Sequence, residues 1–324
     1  MRIVTILHKD IEQLAILTDA KIYPCAELDA QLPISMQHFL LGGDTSMKAM
    51  QHAELEIRKG NSKIEGLQLS EIKILAPVPH PSSCRDAYAF RQHVSTSRRN
   101  RGLEMIPEFD QFPVFYFTNH RAIYGPGAIP CMPMHLEQLD FELEVAIVIN
   151  KRGKNIKASD ADDYIAGYMI MNDISARKLQ MEEMKLNLGP AKGKDFATAI
   201  GPWLVTKEEL APYKTDAPKG HTGQCYDLQM TCKVNGQQVS LGNLSDMDWT
   251  FAEIIERASY GVELFPGDII GSGTVGTGCF LELNGTARLQ NTDHKDQWLL
   301  PGDIVALEVT ALGVLENTIV LADD

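Results

Sequence analysis

The chain has no long apolar run, no cysteine pair at C-x-x-C spacing, and too few basic residues to balance its acids. Each lack removes a class of protein. The longest apolar stretches, such as Val145-Ala146-Ile147-Val148-Ile149, fall far short of the ~20 residues a spanning helix needs, so no membrane role is expected. The six cysteines (Cys25, Cys84, Cys131, Cys225, Cys232, Cys279) are scattered and read as free, mostly buried thiols, not as a zinc or disulfide framework. Lysine and arginine number 30 against 43 acidic residues, a formal net charge of −13. That balance repels phosphate backbones and argues against nucleic acid as a partner. Arg98, Arg99 and Arg101 form the one basic knot. No G-x-S-x-G elbow occurs, so a serine hydrolase has no support. The apolar start Ile3–Leu7 is broken at once by His8, Lys9 and Asp10, shorter than a signal-peptide core, and a cytoplasmic chain is expected.

What is present is an ordinary globular composition over 324 residues, 44% apolar and 23% charged. The proline-dense Pro77-Val78-Pro79-His80-Pro81 resists helix and sheet alike, so a small N-terminal domain over 1–75 and a larger domain over 76–324 are expected. Beyond that point strands dominate. Pro113–Phe117 reads as one, and Asp140–Ile149 as a longer one that ends wholly apolar. Leu228, Met230, Cys232 and Val234 alternate up to Asn235-Gly236, a hairpin signal. Pro266-Gly267-Asp268 and Pro301-Gly302-Asp303 each read as a type II turn leading into a strand. Helices are fewer: Ser159 with Asp162 resembles a capping box, and about Ser175–Lys185 has helical composition, closed by Gly189-Pro190. Strands outnumber helices without a βαβ rhythm. The class is α+β, mainly β, with an antiparallel or mixed sheet.

Three acids, Asp140, Glu142 and Glu144, stand at i, i+2 and i+4 in a predicted strand and so share one face. Spacing alone admits two readings: a solvated acidic face, or oxygen ligands for a hard cation that relieves their repulsion. The apolar stretch that follows them argues against full exposure. A fourth acid, Asp173, ends another apolar run, Tyr168-Met169-Ile170-Met171. A helix after it would align Arg177, Gln180 and Met184, which by itself is an ordinary amphipathic face. Lys194 lies in a loop-like stretch and matters only if that loop packs near the acids. His93 closes the run Asp86-Ala87-Tyr88-Ala89-Phe90-Arg91-Gln92-His93; a lone histidine is more often structural than catalytic.

Taken in order, these pieces resemble a known family. Asp86/Tyr88/Arg91-Gln92-His93, then Asp140-Phe141-Glu142-Leu143-Glu144, Met171-Asn172-Asp173-Ile174-Ser175-Ala176-Arg177, Gly193-Lys194-Asp195-Phe196 and Ser272-Gly273-Thr274 follow the order of the fumarylacetoacetate hydrolase family. The resemblance covers about residues 80–324. It implies a β-roll catalytic domain and a divalent cation (Mg²⁺, or Mn²⁺ or Ca²⁺) on Asp86, Glu142, Glu144 and Asp173, with Asp140 flanking the site. It implies His93 as the water-activating base and Glu282 as the carboxylate that orients it. Arg177, Gln180 and Lys194 become donors around a developing oxyanion. Tyr88, Arg101, Tyr116 and Thr274 fall where the family contacts substrate. Met184 stands near the place where the family pattern often has a tyrosine, a departure that bears on the carboxylate-binding pocket. The implied activity is hydrolysis of a carbon–carbon bond in a small β-diketo acid, by a homodimer whose interface the sequence does not give. Decarboxylation, isomerisation or dehydration of an oxo-acid on the same scaffold are the alternatives, as is a non-catalytic oxo-acid- or metal-binding protein.

One decoy remains. Gly271-Ser272-Gly273-Thr274-Val275-Gly276 fits G-x-G-x-x-G after a strand, but Thr277–Leu283 reads as a further strand where a dinucleotide site needs a helix.

Overall fold

The computed structural model describes residues 1–322. Its strands, in chain order, begin with β1 (Arg2–His8), β2 (Ile11–Thr18), β3 (Lys21–Pro24), β4 (Ser83–Ala87), β5 (Phe115–Thr118), β6 (Gly127–Cys131), β7 (Leu139–Asp140) and β8 (Leu143–Ile149). They continue with β9 (Ile165–Asp173), β10 (Ser175–Ala176), β11 (Thr198–Val205), β12 (Gln229–Val234), β13 (Gln237–Asn243), β14 (Asp268–Gly271), β15 (Ile304–Val309) and β16 (Gly313–Leu321). The helices that matter here are α1 (Gly43–Arg58), α2 (Arg91–Arg99), α3 (Arg177–Met184), α4 (Phe251–Ser259) and α5 (Phe280–Gln290).

A twelve-stranded sheet carries the order β3-β2-β1-β11-β9-β8-β14-β4-β5, with short strands added at its edge and side. Its ladders are antiparallel except where β14 meets β4 and where Ile123–Tyr124 meets β11, so the sheet is mixed. A five-stranded sheet, β13-β12-β15-β16-β6, packs against one face. The class is α+β with mixed sheets, as the sequence indicates.

β8 is buried on both faces and divides the core in two. Val145, Ile147 and Ile149 join the cluster under the smaller sheet, with Met230, Leu307 and Leu315. Ala146 and Val148 face the other way, onto Met36, Phe39 and Met50. An all-apolar strand is what burial on both faces requires. Residues 1–75 attach through the sheet itself: β1 pairs with β11, setting Ile3 opposite Leu204. No helix of the described residues is long and apolar enough to cross a membrane.

The turn chemistry behaves as read. Asn235 and Gly236 take positive φ of 51° and 79° and join β12 to β13. Gly267 and Gly302 sit at φ 93° and 94° in the two Pro-Gly-Asp turns. In both, the aspartate carboxylate accepts the backbone N–H three residues earlier, Phe265 at 2.9 Å and Leu300 at 2.7 Å.

Three local expectations are corrected. Asp140–Ile149 is not one strand: Phe141 and Glu142 leave the ladder, because Asp140 pairs with Ser175 while the Glu142 N–H goes to Asn172 Oδ1 at 3.0 Å. Ser159 is not an N-cap; it lies inside a short helix, Ala158–Ala161, whose Ala158 N–H is accepted by Glu256 of α4 at 3.1 Å. Thr277–Leu283 is not a strand, since α5 starts at Phe280. Its first N–H groups find an acceptor in Asp140, far away in sequence and invisible to any local pattern. The dinucleotide reading still fails, but because a protein carboxylate already fills the helix end that a phosphate would need.

Candidate metal centre and base dyad

The ends of four adjacent strands, β9, β8, β14 and β4, build the acidic site. Register sets Glu144 opposite Met171, Ala146 opposite Gly271, and Gly271 beside Asp86. Asp173 closes β9 and Glu142 precedes β8. The strand between Glu144 and Asp86 therefore contributes a glycine, and no side chain separates the two acids. Asp86, Glu142, Glu144 and Asp173 each bring a carboxylate oxygen to within 4.8 Å of the others, and all four residues are buried. Two unit charges 4.8 Å apart repel by roughly 3 kcal/mol at an effective dielectric near 20. Something must offset that.

Two cations do so in part. Lys194 Nζ donates to Glu142 Oε2 and, at 2.6 Å, to Asp173 Oδ2. Arg177 donates from Nη2 to Glu142 Oε1 at 2.7 Å and from Nε to Asp140 Oδ2 at 2.8 Å. Five carboxylates thus face two cations. Burial alone would raise the Glu142 carboxyl, but the Lys194 and Arg177 charges outweigh it and hold it down at about 2. Asp86 has no such partner: burial and the Asp173 charge push it up to about 7. Glu144 is raised well above the carboxylate range by burial and by Asp86. Asp173 is raised by burial, with Lys194 opposing.

The residues fit a hard divalent cation. Glu144 Oε2 and Asp173 Oδ1 are buried oxygens without a hydrogen-bond partner, and such atoms are costly to leave unpaired. All four candidates are oxygen donors, which such ions prefer. A Cβ at residue 271 would lie 2.5 Å from Asp86 Oδ1 and 3.1 Å from Glu144 Oε2, so only glycine lets the two acids close up here.

Beside the acids, α2 presents His93 and the first turn of α5 presents Glu282. His93 Nδ1 lies 2.7 Å from Glu282 Oε2, both side chains being buried. A carboxylate only accepts, so Nδ1 carries the proton and Nε2 is the ring's free nitrogen. Tyr88 meets the imidazole edge-on at 5.9 Å. Both groups open on one cavity of about 790 Å³, lined by Asp86, Tyr88, His93, Glu142, Arg177 and Lys194 among others.

The remaining residues named from the sequence also gather here. Gln180 Oε1 accepts from Arg177 Nη1 at 3.0 Å, and Gln180, Arg101 and Thr274 line the cavity. Thr274 Oγ1 lies 3.4 Å from Glu144 Oε1. The Tyr116 hydroxyl donates to Asp173 Oδ2, and burial with the Asp173 charge raises that phenol well above its usual range. Met184 lines the cavity too. Sequence reasoning missed its apolar wall, Ile106, Phe109, Phe112 and Val114; the density of aromatic and proline residues over 106–114 was the available signal. It also missed what Asp140 holds.

The family model described as fumarylacetoacetate (FAA) hydrolase, C-terminal, matches residues 83–320. A rat protein named oxaloacetate tautomerase Fahd2a, mitochondrial, is 30% identical over 297 residues, covering 90% of this chain and 82% of its own. Among solved structures, a fumarylacetoacetate hydrolase from Exiguobacterium antarcticum superposes with a TM-score of 0.70 at 21% identity, each chain covered in full. Maleylpyruvate hydrolase from Sphingobium sp. SYK-6, in complex with manganese(II) ion and pyruvate, gives a TM-score of 0.70 at 19% identity, again over both whole chains.

Proposed function

The chain belongs to the fumarylacetoacetate hydrolase family, and from that premise we propose that it hydrolyses a carbon–carbon bond in a β-diketo acid, with a divalent cation on Asp86, Glu142, Glu144 and Asp173. The observation that carries this reading is the His93–Glu282 pair at 2.7 Å, whose His93 lines the same cavity as Asp86 and Glu142 of the acid cluster. Hydrolysis needs an activated water, and this pair is built as a base.

The cation, when bound, would polarise the 1,3-dicarbonyl as a Lewis acid. His93 Nε2 takes a proton from water, and Glu282 stabilises the imidazolium through the Nδ1–H bond. The hydroxide attacks the carbonyl of the acyl arm. Of the five N–H groups of Arg177, three are held by Asp140, Glu142 and Gln180, which leaves two for an oxyanion. Lys194 and Gln180 also line the cavity and add donors. The bond between the acyl carbon and the neighbouring methylene then breaks, and the imidazolium returns its proton to the departing carbon. Water plus an acylpyruvate gives a carboxylic acid and pyruvate.

The cavity supports an acyl arm that is apolar. A four-carbon oxo-diacid has about nine heavy atoms and would leave most of a drug-sized pocket empty. The cavity lining includes the apolar Ile106, Phe109, Phe112, Val114, Met181 and Met184, alongside Arg98, Arg101 and Arg288. With Mg²⁺ or Mn²⁺, purified protein is expected to cleave acylpyruvates, read as loss of enol absorbance and appearance of pyruvate. His93→Ala should lower kcat by about 10²–10⁴-fold with the cation still bound.

A second reading is keto–enol tautomerisation of an oxo-acid, favoured by the name of the rat relative at 30% identity. It also uses a base near a bound cation, but no water enters the product. Reaction in H₂¹⁸O separates the two: label in the released acid supports hydrolysis, and exchange of the methylene protons with no released acid supports tautomerisation.

A further inference from the structure

Resting on the hydrolase reading, we propose that Asp140 is a positioning residue that fixes the oxyanion donor Arg177 and the base dyad relative to one another. Its side chain is fully buried and is not among the four clustered acids. Oδ1 accepts the Phe280 N–H at 2.7 Å, and Oδ2 accepts both the Leu281 N–H at 3.0 Å and Arg177 Nε at 2.8 Å. Phe280 and Leu281 open α5, and the next residue is Glu282, which holds His93. One carboxylate therefore sets both the first turn that carries Glu282 and the Arg177 guanidinium, which lines the cavity.

Helix α5 lacks a local cap: Cys279, at the N-cap position in extended conformation, makes no side-chain bond to it. A serine or aspartate there would satisfy the helix end as well. In this chain the acceptor comes instead from β7, and the same carboxylate also holds Arg177 Nε. Arg177 is in turn locked by Glu142 and Gln180, so its plane has no freedom once Asp140 is in place. Displacing a reacting group by about 1 Å costs on the order of 100-fold in rate. A shift in either partner of Asp140 has that scale.

Asp140→Asn tests this with little change in shape. The amide oxygen can keep Phe280, but the NH₂ group then faces the Leu281 N–H and Arg177 Nε, donor against donor. Expected are a kcat about 100-fold lower, KM and Mn²⁺ affinity within about threefold, and a shifted or lost NMR signal for the His93 Nδ1 proton. The double variant Asp140→Asn/Cys279→Ser supplies a local cap. It is expected to regain melting temperature without regaining kcat. Full recovery of kcat in the double variant, or an unaltered proton signal and kcat in the single one, overturns the proposal and leaves Asp140 a helix cap. The proton signal and Mn²⁺ affinity are read without substrate. If the wild type cleaves no β-diketo acid yet the signal moves in Asp140→Asn, the hydrolase reading falls and the positioning role stands.

Discussion

At the scale of the residue, the site is governed by how few cations face how many buried acids. Lys194 and Arg177 hold the Glu142 carboxyl low, while burial and neighbouring acids raise Asp86 and Glu144. Asp86 has a folded pKa of about 7 against an ordinary 3.8, and Glu144 is raised in the same direction. A raised acid contributes stability that is full below its unfolded pKa and is lost as pH climbs through the folded one. In EDTA the melting temperature should therefore fall by several degrees between about pH 5 and about pH 8. Added Mn²⁺ should raise it more at the upper end, where protons no longer compete. Calorimetry across that range checks both, and a metal-free protein that gains stability on going alkaline would contradict the charge balance described here. The individual acids were legible in the sequence as types and spacings. Their separation into one lowered and three raised groups was not, because Lys194 and Arg177 reach them only through the fold.

At the scale of the element, turns set by adjacent residues are legible in the sequence, while helix capping is not: the Ser159 cap fails and the cap of α5 comes from far away. The hairpin at Asn235-Gly236, the two Pro-Gly-Asp turns and the helix Arg177–Met184 depend on neighbours in sequence, and the pattern was sufficient. Helix α5 and the broken strand before β8 depend on Asp140, which pairs with Ser175, caps α5 and binds Arg177 all at once. No window of ten residues contains that information. The wall over Ile106–Val114 is a similar case: Phe112 and Val114 are partly exposed and would read as loop residues, yet they line the cavity. With an apolar acyl arm against this wall, kcat/KM should rise about fourfold for each methylene added to the arm, at ~0.8 kcal/mol per buried CH₂. Phe112→Ala should flatten that slope while leaving the shortest substrate within about twofold. A series from acetylpyruvate upward measures it. Equal slopes in wild type and variant would remove Phe112 from the acyl subsite.

At the scale of the whole molecule, a single mixed sheet brings Asp86, Glu144 and Asp173 to one rim although 87 positions of chain separate the first from the last. Order of motifs pointed to that convergence; strand order β9-β8-β14-β4 is what accomplishes it, with Gly271 as the gap in the middle. The class of fold was legible because alternation and turns recur along the chain. The attachment of residues 1–75 through β1 and β11 was not, since edge pairing leaves no local mark. The proposed chemistry depends on one divalent ion held at that rim, and titration of the metal-free wild type with Mn²⁺, followed by calorimetry and by loss of the free-ion EPR signal, tests it most directly. One ion per chain should bind, Gly271→Ala should weaken it at least tenfold by crowding Asp86 and Glu144, and His93→Ala should bind as the wild type does. A folded wild type that takes up no Mn²⁺ at millimolar concentration, or a Gly271→Ala variant that binds it undiminished, would contradict the account.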